Sequence, residues 1–142
     1  MSMRLDWSRF GDIARRLPVE AGALVRTTAY NIEKRSKSSM RQAKHGRAYE
    51  RGFTKSGRAR KAHRASAPGE APAIDTGALV NSIHTEFLTA TSAVVYTNQE
   101  YAQALEYGSK RMAARPFFTP AAEISFEEML ESMSDIERRL GA

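Results

Sequence analysis

Residues 66–83, SAPGEAPAIDTGALVNSI, constrain this chain more than any other stretch, because no regular element can run through them. Pro68 and Pro72 lack a backbone donor and cannot continue a helix. Each also pushes the residue before it, Ala67 or Ala71, towards extended geometry. Gly69 permits a turn at positive φ. The chain must therefore be built as two halves joined here. Asp75 and Thr76 are each able to accept a bond from the next free amides, which predicts a capped helical turn over residues 77–82. On its own, the pattern also fits an ordinary capped loop.

The first half opens with helical spacing. Asp6 is a candidate cap, and Trp7, Phe10, Ile13, Ala14 and Leu17 fall on one apolar stripe. Pro18 either kinks this helix or starts another. Ala21, Leu24, Val25, Thr28 and Ile32 carry an apolar face onward, so residues 6–38 read as one broken helix or two. From residue 36 to residue 67 the apolar pattern stops, and basic residues recur every two to four positions among three glycines. Such a segment buries too little apolar surface to offset its own ordering. It is expected to be a mobile basic insertion at about 38–67. Tyr49 and Phe53, four apart, would pack together if residues 43–51 formed a nascent helix, or stack on nucleobases among the arginines.

In the second half, residues 83–88 (IHTEFL) alternate. Ile83, Thr85 and Phe87 fall on one side, and His84, Glu86 and Leu88 on the other. Residues 93–97 (AVVYT) are β-branched and aromatic, and the two runs predict an antiparallel hairpin. Two strands alone are marginal in water. Further strands are expected from residues 115–119 or from another subunit. Residues 99–107 predict a short helix stopped by Gly108. Thr119 and Pro120 start a last helix with Phe126, Met129, Leu130, Met133, Ile136 and Leu140 as its apolar stripe. Glu123, Glu127, Glu128, Glu131, Asp135 and Glu137 lie mainly on its other faces. Together these readings predict one α+β domain spanning residues 1–142. It comprises an N-terminal helix, a small antiparallel sheet, a short helix, and a long C-terminal helix packed on the sheet.

Charge narrows the function. Residues 33–66 hold 12 Lys and Arg against 2 Glu, a net +10, while the remainder holds 10 against 14, a net −4. All the excess positive charge of a chain of net +6 thus sits in one segment. That asymmetry suggests a polyanion or an acidic partner surface. Arg41, Lys44, Arg47, Arg51, Lys55, Arg58, Arg60, Lys61 and Arg64 are the candidate contacts with DNA or a neighbouring subunit. There is no cysteine, so disulfide and thiol chemistry are excluded. The first ten residues hold no apolar signal core, and no apolar run approaches the roughly 18 residues of a membrane span. The expectation is a soluble chain made in the cytoplasm, with no membrane partner.

Motifs for catalysis are wanting. Residues 52–59 (GFTKSGRA) fail as a phosphate-binding loop, with Arg58 at the lysine position and Ala59 at the hydroxyl position. His45, His63 and His84 have no metal-ligand spacing. No Gly-x-Ser-x-Gly elbow occurs. The chain is expected to be no enzyme and to need no cofactor or metal.

Three segments in order go beyond such patterns. The first holds Pro72, Asp75, Thr76, Gly77, Leu79, Ser82 and Ile83. The second holds Tyr101, Ala102, Glu106, Tyr107 and Gly108, and the third Arg115, Pro116 and Phe117. Together they resemble a family of bacteriophage proteins, the gene-ten-like tail-completion or head–tail joining proteins of long-tailed phages and prophages. The family hallmark is Pro-x-x-Asp-Thr-Gly-x-Leu-x-x-Ser-Ile, then Tyr-Ala-x-x-x-Glu-Tyr/Phe-Gly, then Arg-Pro-Phe before the C-terminal helix. The likeness covers residues 66–122. It implies a virion protein that forms a ring, six-fold, in the phage neck. Such a ring meets the head-side connector or stopper on one face and the tail tube or its terminator on the other. Genomic DNA passes through the lumen. The basic segment is longer than the family's linker, so it would either line the lumen or clamp a neighbouring subunit. The alternative function is that of a small nucleic-acid-binding protein using residues 34–64. A pairing of Glu106 with Arg115 across the loop between them is also expected.

Overall fold

The computed structural model describes residues 1–6 and 18–141. The elements in order are β1 (Ser2–Asp6), α1 (Pro18–Arg41), β2 (Ala48–Tyr49), β3 (His63–Arg64), α2 (Ala78–Ser82), β4 (His84–Thr89), β5 (Ser92–Tyr96), α3 (Ala102–Tyr107) and α4 (Thr119–Gly141). This is the α+β arrangement read from the sequence, with the long C-terminal helix in place.

Among the described residues α1 begins at Pro18, whose missing donor is tolerated in a first turn. The stripe from Trp7 to Leu17 lies outside the described residues. Asp6 ends a strand that pairs antiparallel with β5, from Ser2 opposite Tyr96 to Asp6 opposite Ser92, and the helix it was expected to cap lies outside the described residues. The main sheet therefore has the order β1-β5-β4. Its third strand comes from the chain's start, not from residues 115–119 or from another copy. Met1 and Met3, two apart on β1, pack against the core, as the two-residue period of a strand requires.

The β4–β5 hairpin forms as expected, with a register shift between Phe87 and Thr89. The Thr85 side of β4 faces α1. The Thr85 hydroxyl donates to Glu33, and Phe87 meets Tyr30 edge-on, with ring centroids 5.5 Å apart. On α1, Ala21, Val25, Thr28, Ala29, Ile32, Ser36 and Met40 are buried at helical spacing. The Ser36 hydroxyl is satisfied by donating to the Ile32 carbonyl, at 2.8 Å.

Four of the six residues of the expected α4 stripe face the core, and burial extends to small residues near the start of the helix. Ala121, Ala122, Ser125, Met133 and Ile136 are buried, while Phe126 and Met129 pack at the core's margin. Leu130 is 53% exposed, and the side chain of Leu140 lies outside the described residues. Small side chains at 121, 122 and 125 let α4 approach α1 closely. Arg35 of α1 then spans the seam, donating to Ser125 at 2.8 Å and to Glu128.

The basic segment is a hairpin arm rather than an irregular loop. Ala48 pairs with Arg64, Tyr49 with His63 and Phe53 with Ala59, all in one register. The Arg60 amide donates to Gly52, and the Thr54 amide to Arg58. Residues 43–51 form no helix, because the backbone donors of this stretch are answered across the arm. Tyr49 and Phe53 accordingly do not pair. Tyr49 lies under the Arg47 guanidinium, 5.4 Å from its ring centre. At the arm's root the Gly46 amide donates to the Ala65 carbonyl at 3.0 Å. A side chain at Gly46 would strike the carbonyls of Ala65 and Ser66.

Candidate functional site

The proline-rich join, residues 66–77, is a wall with a hollow on each side. On one side lies a groove of about 420 Å³. Pro72, Asp75, Thr76, Gly77 and Leu79 line it from the first motif, Tyr101 from the second and Arg115 from the third. Met40, Leu105 and Met112 complete its apolar floor. These three carry no motif signal and come together only through the fold. On the other side lies a cleft of about 430 Å³ into which Arg41, Lys44, Arg51, Lys61 and Arg64 all reach. Met40, His63, Ala73 and Ile74 belong to both hollows.

Local chemistry explains the wall. Gly77 has φ 84°, a conformation in which an L side chain is strained, so glycine fits between Thr76 and α2. The Thr76 hydroxyl accepts from the Ala78 amide at 3.3 Å. Asp75 does not cap α2; its carboxylate takes the Arg51 guanidinium and ties the arm to the wall. Leu79, Ser82 and Ile83 turn inward. The Ser82 hydroxyl is bonded to the Leu79 carbonyl and the Thr97 hydroxyl, at 2.7 and 2.6 Å.

The second and third motifs meet at a buried carboxylate. Glu106, 3% exposed, accepts the backbone amides of Phe117, Phe118 and Thr119 at 2.8, 3.0 and 2.7 Å. These are free donors at the start of α4, so Glu106 caps that helix from another element. Its expected partner Arg115 is not on it. Three amides already occupy both carboxylate oxygens, and Arg115 instead lines the groove with its Nη1 buried and without a hydrogen-bond partner. The Arg115 amide donates to the Leu105 carbonyl at 2.6 Å. Phe117 is buried, Pro116 is half-buried, and Gly108 turns the chain at φ 80°. Tyr107 is exposed and stands apart from the groove.

Glu70 locks the arm's root. Its carboxylate accepts the Ala67 amide at 2.8 Å and the His45 amide at 3.1 Å, and it meets the His45 ring. The Ala67 amide, then the His45 ring and amide, hold its pKa down at about 2, against an ordinary 4.5. A depressed carboxylate supports the fold above its unfolded value and loses that contribution as pH falls through the folded one. The lock is therefore complete at neutral pH and opens only below pH 4.5, towards about 2. The amide shifts of His45 and Ala67 are expected to titrate with a midpoint near pH 2. A midpoint at the ordinary carboxylate value would show that the lock does not hold in solution. Burial, opposed by Glu70, lowers the pKa of the nearby Lys44 ammonium.

The remaining candidate cations lie farther out. Arg64 donates to the Gly46 carbonyl at 3.0 Å, and Arg47 covers Tyr49. Lys55, Arg58 and Arg60 stand exposed at the arm's tip beside Phe53, itself 72% exposed. Among the described residues, no three His, Asp or Glu side chains are grouped to hold a metal ion, and no helix is long and apolar enough to cross a membrane. No protein-family model matches the chain, and comparison with curated proteins and with solved structures returned no match.

Proposed function

We propose that this chain is a structural subunit of the neck of a long-tailed phage. It would be a ring-forming tail-completion or head–tail joining protein, set between the head connector and the tail tube, with DNA passing through the ring. The observation that carries this reading is the convergence of the three motif segments. The second and third are joined internally by Glu106, and outward parts of all three, Arg115 among them, line one groove. Arg115 stands half-buried in the groove lining, where a neighbouring subunit's carbonyl or carboxylate would meet its side chain.

Head-to-tail association has further support. Among the described residues, β1 and β4 each leave one edge unpaired, at opposite sides of the sheet. Free edges accept strands from other chains. A head-to-tail contact closes into a ring when its rotation allows. The test is light scattering at low and moderate salt with negative-stain imaging, followed by mixing with isolated phage tails. Rings alone, or rings formed on tail ends, are the expected result. A strict monomer that also fails to bind tails would remove the reading.

A further inference from the structure

We propose that the arm and the basic cleft at its root form a contact surface for the phosphate backbone of duplex DNA. Five cationic side chains, Arg41, Lys44, Arg51, Lys61 and Arg64, reach one cleft, and the carboxylate of Asp75 answers only Arg51. Lys55, Arg58 and Arg60 extend the positive strip along the arm, with no carboxylate in ion-pair reach of them among the described residues. Like charges gathered in this way repel, and Asp75 on Arg51, Glu70 beside Lys44 and the Gly46 carbonyl on Arg64 relieve only part of that repulsion.

Charge balance selects the partner. The acidic face of α4 on another copy is the obvious protein candidate. However, Glu128 already holds Arg35 and Asp135 holds Arg138, which leaves Glu123, Glu127, Glu131 and Glu137 on that face. The whole chain outside residues 33–66 carries only −4 against the segment's +10, so copies of this protein cannot neutralise one another and each retains +6. A polyanion from outside the assembly is required. The arm's shape selects among polyanions. A two-stranded β-ribbon fits the roughly 12 Å major groove of B-form DNA, whereas the major groove of duplex RNA is too narrow for side chains to read. Gln42 lines the cleft and residues 44–66 contain no Asn or Gln, so the contacts the arm itself offers are charged ones, which we assign to the phosphate backbone. Phe53 at the tip is placed to rest against a groove wall.

The inference rests on the neck reading only for the source of the duplex; the contact itself stands on the arm and the cleft. The test is fluorescence anisotropy of the full chain with a labelled mixed-sequence duplex, across salt from about 50 to about 200 mM. With five cleft cations engaged, log K should fall against log salt with a slope of about −4 or steeper. Replacing Arg58, Arg60 and Lys61 together by serine touches only exposed side chains, so circular dichroism should be unchanged. Affinity should drop at least about tenfold and the slope should lessen by about 3. Unaltered DNA binding by that variant would overturn the proposal. So would poly-glutamate binding as tightly and as salt-sensitively as DNA, which would assign the arm to an acidic protein. Light scattering without DNA reports ring formation separately, so either reading can fail while the other stands.

Discussion

Replacing Glu106 by alanine should lower stability by about 4 kcal/mol. Three backbone amides lose their acceptor at once, and each buried donor left unpaired costs about 1–3 kcal/mol, less whatever water recovers. Phe117 and Phe118, whose amides are two of the three, are 1% and 0% exposed, so water has little access there. For a chain of this size the loss corresponds to about 12 °C in Tm. Glutamine keeps one carbonyl oxygen but turns an NH₂ towards another donor, so Glu106→Gln should fall about halfway. Thermal denaturation checks both. An alanine variant melting within about 3 °C of the parent would mean that the amides find other acceptors.

Phe118→Ala should cost about 4 kcal/mol, in the range measured for large aromatic side chains removed from cores. Phe118 is fully buried and stacks obliquely on Phe117, with ring centroids 4.7 Å apart. Its removal would leave a void between the first turn of α4 and the rest of the core. Phe118→Leu, which keeps most of the volume, should cost about 1.5 kcal/mol. Tyr107→Ala offers the contrast, since Tyr107 is 66% exposed. Its effect on chemical denaturation should stay within about 0.5 kcal/mol. A large loss for Tyr107→Ala, or a small one for Phe118→Ala, would contradict the placement of these rings.

Sequence reading found those elements that leave a periodic or punctuated trace. Pro18, Gly108 and Pro120 mark real boundaries, and the β4–β5 hairpin follows from alternation and β-branching. It missed β1, because five residues with two apolar side chains, Met3 and Leu5, read equally well as the approach to a helix. On α4 it found the core face at Phe126, Met129, Met133 and Ile136, but it included the exposed Leu130 and passed over the small residues. Burial there is decided by Ala121, Ala122 and Ser125, whose smallness admits the neighbouring helix and whose composition signals nothing. The arm was legible as charge but not as structure, since its backbone bonds join residues up to 19 positions apart and lack an apolar rhythm.

The site divides in the same way. The motif residues were visible, but which of them turn inward was not. Ser82, Ile83, Glu106 and Phe117 hold the fold together, while Asp75, Thr76, Tyr101 and Arg115 present a surface. The proximity of Glu106 and Arg115 in the chain suggested an ion pair. The amides at the start of α4 are the stronger claim on that carboxylate, because they are fixed, convergent and buried.

The closure between Gly46 and Ala65 has a consequence for how this protein can vary. Beyond Arg51, whose guanidinium is tied to Asp75, the hydrogen bonds of residues 52–60 stay within the excursion, so the rest of the fold does not register the length of its outer part. Doubling a flexible loop costs only about 0.6 kcal/mol in closure entropy. Lengthening, trimming or exchanging that part is therefore nearly free for folding, and a grafted peptide or reporter should be tolerated there. Its reach is left to be tuned by whatever it touches.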